Sequence, residues 1–304
     1  MPHMVVNDIG IEYEEYGRKY GKPFLLICGF TRAMTSWPDS LIEQLVDNGY
    51  RVIVFDNRDI GLSHQFDDKG IPDMRRIMAG LSDGSATDLA PYTLNDMAKD
   101  AAELLKALDA SPAIVMGTSM GGMIAQLLAL EHPECVKALI PTMTTARNPE
   151  ITMSTPEAGA VLMDRPANPT RNAIAQRAVT ANRVIGSGPT LQATDAELRE
   201  SAAKEFDRAY RPAGISRQYA AITVTAPWHE RLKEIDVPTL VLHGEKDTLI
   251  LPANGRDVAG RIPGARYVEI PDWGHDMPPK AVPELLKHIL PFAESVQEKS
   301  DVEA

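Results

Sequence analysis

Cysteine is scarce in this chain: Cys28 and Cys135 are the only two in 304 residues, and neither belongs to a Cys-x-x-Cys pair or to a Cys/His cluster with metal-ligand spacing. That argues against a disulfide framework and against a structural zinc. Long apolar runs are also missing. No uninterrupted apolar stretch reaches ten residues, and the first residues lack the charged, apolar and small-residue succession of a secretory signal, so a cytoplasmic protein is expected. Positive charge is in deficit, with 31 Lys plus Arg against 42 Asp plus Glu and a net charge of −11. Without a basic cluster to reverse it, this charge repels phosphate backbones and anionic headgroups, and neither nucleic acid nor a membrane surface is an expected partner. Gly and Pro, at 21 and 23 residues, are too few for low-complexity disorder.

What is present is an alternation of short apolar runs and helical patterns. Asn7-Asp8-Ile9-Gly10 is a hairpin turn at the expected edge of a sheet. Residues 24–28 and 51–55 read as strands buried on both faces, with a helix over 40–47 between them. Thr93 and Asp96 form a capping-box-like start to a helix whose Leu94, Met97, Ala101, Leu104, Leu105 and Leu108 share one face. The strand at 113–116 runs through Gly117-Thr118-Ser119 into an apolar helix that stops before His132-Pro133. Further strands are expected at 136–140, 239–242 and 266–270, then a helix near 283–292 and a frayed tail from Val296.

This βαβ order implies an α/β fold with a mostly parallel sheet flanked by helices. Between Arg147 and Lys233 the strand pattern vanishes, seven prolines occur, and Thr194 with Glu197 forms a capping box. The segment is read as an inserted helical unit, giving a core of residues 1–145 and 234–304 and an insertion of residues 146–233. The long connection from His64 to Tyr92 is expected to be a functional or mobile loop.

The chemistry centres on Gly117-Thr118-Ser119-Met120-Gly121, a Gly-x-Ser-x-Gly string set between a strand and a helix. A serine hydroxyl is a weak nucleophile and needs a histidine base oriented by a carboxylate. Asp247 follows the strand ending near Leu242, and His275 follows the last strand, so both stand at strand C-termini, where open α/β sheets build their sites. Glu245 competes with Asp247 for the acid's role, whereas His243 precedes Asp247 and breaks the order Ser, Asp, His. Two backbone donors are needed for the oxyanion, and the amides of Met120 and of Phe30, in Cys28-Gly29-Phe30, are the candidates.

With Cys28 to Phe30, Phe55 to Ser63, the Ser119 turn, Gly244 to Asp247 and Gly274-His275 quoted together, the chain resembles the α/β-hydrolase superfamily across nearly its full length, in its serine carboxylesterase form. Asp59, where many members have Gly, and Trp37-Pro38 make it look most like the branch of aclacinomycin methylesterases. Cys28 stands where the family usually has His. The resemblance implies that residues 146–233 cap the pocket, that neither metal nor organic cofactor is needed, and that the substrate is a small-molecule ester. Cleavage of a C–C bond by the same triad, or a ligand-binding receptor with negligible turnover, are the alternatives it leaves. Oligomeric state is not readable from the sequence.

Overall fold

The computed structural model describes residues 3–82 and 84–303. Its frame is an eight-stranded sheet: β1 (His3–Val6), β2 (Ile9–Tyr16), β3 (Lys22–Ile27), β4 (Tyr50–Phe55), β5 (Ala113–Thr118), β6 (Val136–Thr142), β7 (Leu240–Gly244) and β8 (Arg266–Ile270), in spatial order 1-2-4-3-5-6-7-8. The β1–β2 hairpin and the β2–β4 pair are antiparallel, and every other pairing is parallel. Val6 pairs with Ile9, so Asn7 and Asp8 are the two turn residues, with φ of 49° and 63°. Two successive positive φ values match a hairpin turn to the twist of its strands, and Asn and Asp adopt them more readily than most residues do.

Helices cover both faces. α1 (Asp39–Asp47) lies between β3 and β4; α2 (Met74–Gly80) and α3 (Leu94–Ala107) lie between β4 and β5; α4 (Met120–Glu131) follows β5. Beyond β6 come α5 (Pro156–Met163), α6 (Arg171–Ile185), α7 (Asp195–Arg208) and α8 (Pro212–Val224), then α9 (Pro252–Arg261) and α10 (Val282–Glu303). Alternation along β3 divides the core. Phe24 and Leu26 face α1 and α10, packing with Leu41, Leu45, Leu285 and Ile289. Leu25 and Ile27 face α3 and α4, packing with Leu104, Leu105, Ile124 and Leu128.

The expected strands and helices are present within a few residues, and the Thr93 and Thr194 capping boxes both form. Two expectations change. α10 continues to Glu303, well past Val296 where fraying is expected from sequence. The connection from His64 to Tyr92 is partly helical and packed: Ile77 of α2 and Ala86 bury themselves against Ala220 and Val224 of α8. That apolar contact with the inserted helices explains how a connection of this length keeps structure.

Candidate active site

The strand order reverses at the β3/β5 boundary: β4 lies to one side of β3, whereas β5 through β8 lie to the other. The crevice at such a switch point, outside the strand C-termini, is where open α/β sheets bind ligands. Ser119 stands there, directly after β5 and as the residue preceding α4, with φ 55° and ψ −120°. For a serine this is a strained backbone, held because Ser119 N–H donates to Thr142 O at 2.9 Å and Thr144 Oγ1 donates to Ser119 O at 2.8 Å. The turn also requires its second glycine, since a Cβ on Gly121 would lie 2.1 Å from Ile27 O.

Asp247 and His275 meet this serine. His275 Nε2 is 2.9 Å from Ser119 Oγ, and His275 Nδ1 is 2.7 Å from Asp247 Oδ2. Asp247 is buried and its other oxygen accepts the Leu249 and Ile250 amides at 2.9 and 2.8 Å. Burial pushes its carboxyl upward, but the charge of His275 and the hydrogen bonds of His243 and His275 outweigh this and hold it at about 2. An ionised carboxylate only accepts, so Nδ1 of His275 carries the proton and Nε2 is free to accept from the serine hydroxyl. Ser119 is half-buried, and the His275 side chain keeps 8% of its surface exposed.

The competing acid is placed elsewhere: Glu245 is exposed and accepts the Asp272 amide at 3.2 Å. His243, set aside on chain order, is in fact part of the surroundings of Asp247. Its Nε2 lies 2.7 Å from Ile250 O and 3.3 Å from Asp247 Oδ2, and its ring is fully buried. A carbonyl oxygen can only accept, so Nε2–H is the donor there. A position four residues before Asp247 on the same strand end was the only sequence signal for this contact.

The loop after β3 reaches the nucleophile. A Cβ on Gly29 would lie 3.2 Å from Ser119 Cβ and 3.8 Å from Ser119 Oγ, which puts the Gly29 turn of the loop beside the reacting oxygen. Met120 opens α4, whose N-terminal amides favour negative charge. Asn57 supports this loop by donating to Cys28 O at 3.0 Å, and Asp56 accepts the Met34 amide at 2.8 Å. Gln218 of α8 bridges Thr31 N–H at 3.4 Å and Arg58 O at 2.9 Å. Burial pushes the Cys28 thiol up to about 12, so it stays protonated and donates to Ala33 O at 3.3 Å. Support for the loop thus comes from Asn57 and Asp56, residues of the Phe55 to Ser63 stretch.

Among the described residues no group of three or more His, Cys, Asp or Glu side chains is arranged to hold a metal ion, and no helix is long and apolar enough to cross a membrane. What the arrangement can do is take a proton from Ser119 and return it to a leaving group.

Known proteins share this sequence and frame. A family described as the alpha/beta hydrolase fold matches residues 22–279. The chain is similar to rhodomycin D methylesterase DnrP of Streptomyces peucetius, 26% identical over 295 residues covering 90% of this chain and 92% of that protein. It is also similar to a non-heme chloroperoxidase of Burkholderia pyrrocinia, at 26% identity covering 82% and 84% of the two chains. The solved structure of a thermophilic esterase from Thermogutta terrifontis superposes with a TM-score of 0.69 at 26% identity, covering 97% of this chain and 98% of the other.

Proposed function

The chain belongs to the α/β-hydrolase family, and from that premise we propose that it is a serine carboxylesterase acting on small to medium neutral esters. The observation that carries the reading is His275 standing between Ser119 Oγ at 2.9 Å and Asp247 at 2.7 Å. In this reading Ser119 attacks the ester carbonyl while His275 Nε2 takes its proton, and Asp247 stabilises the imidazolium that forms. The oxyanion is received by the backbone N–H groups of Met120 and Phe30. His275 then returns the proton to the departing alcohol, leaving an acyl group on Ser119. A water, deprotonated by the same nitrogen, attacks the acyl carbonyl, and collapse of the second oxyanion frees the acid and restores Ser119.

Residues 146–233 serve in this reading as a cap over a core of residues 1–145 and 234–304, because α5 to α8 leave the sheet after β6 and return before β7. Lids at strand C-termini shape the pocket and exclude water. Similarity to a protein named a methylesterase makes a methyl ester a first substrate to try beside p-nitrophenyl acetate and butyrate. Hydrolysis of these esters, reduced on the order of 10³-fold or more in kcat by Ser119→Ala with a small residual rate, is the expected result. Absence of turnover on every ester, or full activity in Ser119→Ala, would overturn the proposal.

A further inference from the structure

His275 sits in the irregular connection between β8 and α10, where no ladder or helix of its own fixes it. The inserted helices do so instead. The His275 amide donates to Ile185 O, the last carbonyl of α6, at 2.6 Å. The next residue, Asp276, accepts from Ser187 Oγ at 2.5 Å, from Ser187 N–H at 3.2 Å and from Asn182 Nδ2 at 2.7 Å. The preceding residue, Gly274, donates its amide to Ser187 Oγ at 3.2 Å. Both neighbours of His275 are therefore bound to the same hydroxyl. Ser187 and Asn182 are buried, at 4% and 7% exposure, so water does not compete for these bonds. The approach is close: a Cβ on Gly274 would lie 2.2 Å from the Gly186 carbonyl. The same end of α6 also meets the acid's loop, where Thr248 Oγ1 donates to Val184 O at 2.8 Å.

We propose that Ser187 and Asp276 form a clamp through which the inserted helices position His275, which makes the insertion a part of the catalytic apparatus as well as a cover. This rests on the reading of His275 as the base. Ser187 and Asp276 act through His275 and are positioning residues. The distance from Nε2 to Ser119 Oγ is what they set, and a displacement of about 1 Å at such a distance costs on the order of 10²-fold in rate.

Ser187→Ala and Asp276→Asn test the clamp, with Thr190→Ala as the control. Thr190 joins the same insertion to the same loop, donating to Asp272 Oδ2 through N–H at 2.7 Å and Oγ1 at 2.5 Å, whereas Asp276 and Gly274 are bonded by Ser187. The expected result is a kcat on p-nitrophenyl butyrate lowered about 10- to 100-fold in both clamp variants, with KM within about twofold and the control near wild type. Proton NMR gives a readout independent of turnover: the downfield Nδ1–H signal of His275 should be lost or shifted in the clamp variants and kept in Thr190→Ala. Unchanged kcat and unchanged signal in both clamp variants would overturn the proposal, as would an equal loss in all three. Should Ser187→Ala not fold, the isosteric Asp276→Asn decides alone. If wild type cleaves no ester, the functional reading fails, and the NMR signal still decides whether the clamp positions the imidazole.

Discussion

Asp59 and Arg217 lie 158 residues apart and meet as a fully buried ion pair, with Arg217 Nε and Nη2 at 2.8 and 2.7 Å from the two carboxylate oxygens. The pair joins the loop after β4 to helix α8. Asp59 also accepts from Tyr92 Oη at 2.7 Å and from the Phe66 amide at 2.9 Å, so its charge is matched by four hydrogen bonds. Its φ of 69° lies in the left-handed region, which favours glycine, so the four hydrogen bonds are what the carboxylate adds here.

Breaking the pair from one side leaves a buried charge. Arg217→Met is therefore expected to cost about 3–5 kcal/mol, read as a fall in the urea unfolding midpoint. Asp59→Gly satisfies the backbone but leaves Arg217 with only the exposed Asp67, at 2.9 Å, as an acidic partner, and should also destabilise. Combining both substitutions should recover part of the loss. Additive losses would show that the two side chains do not act together.

Asp247 and Glu245 are separated by their surroundings. Asp247→Asn should lower kcat on the order of 10⁴-fold, because the imidazole loses its orienting carboxylate. Glu245→Gln, which alters an exposed contact to the Asp272 amide, should stay within a few-fold of wild type. The kcat values of the two variants on one ester decide which acid is used.

The carboxyl of Asp247, held at about 2 against an ordinary 3.8, links stability to pH. The folded chain binds that proton less tightly than the unfolded chain does, so the carboxylate stabilises the fold above the ordinary value. The contribution fades as pH falls from about 4 towards 2. Its size is about 2 kcal/mol. His275, His243 and the more distant Tyr267 are the titratable groups around it. Urea midpoints between pH 5 and pH 2 should fall more steeply for wild type than for Asp247→Asn.

Substrate preference should follow α8. The Tyr219 ring stands 6.1 Å from the ring of Phe30, in the loop after β3, and Ile222 packs against the adjoining core. Tyr219→Ala and Ile222→Ala should shift the preference among p-nitrophenyl esters from acetate to octanoate. Apolar pockets discriminate by only about 1–3 kcal/mol per methylene, so the change should be graded. Identical profiles would place the acyl chain elsewhere.

The strands, most helices and the meeting of Ser119, Asp247 and His275 were legible because each depends on local pattern: buried runs, capping boxes, and positions just past strand ends. The contacts that hold the site together were not. Asp59 with Arg217, Gln218 with Thr31, and Asp276 with Ser187 each pair a core loop with the insertion across 89 to 187 residues. Nothing periodic marks such partners, and a buried Asp or Arg looks like a surface one until the fold removes its water. His243 illustrates the converse, since chain order set it aside as the base but said nothing of its contact with Asp247.

The central claim, that Ser119 is the nucleophile of this site, is tested most directly by reacting the protein with a serine-directed fluorophosphonate and locating the adduct by peptide mass spectrometry. One adduct on the peptide carrying Ser119, absent in Ser119→Ala and strongly slowed in a His275→Ala variant, is the predicted result. Labelling of another serine in preference, or no adduct at all, would contradict it.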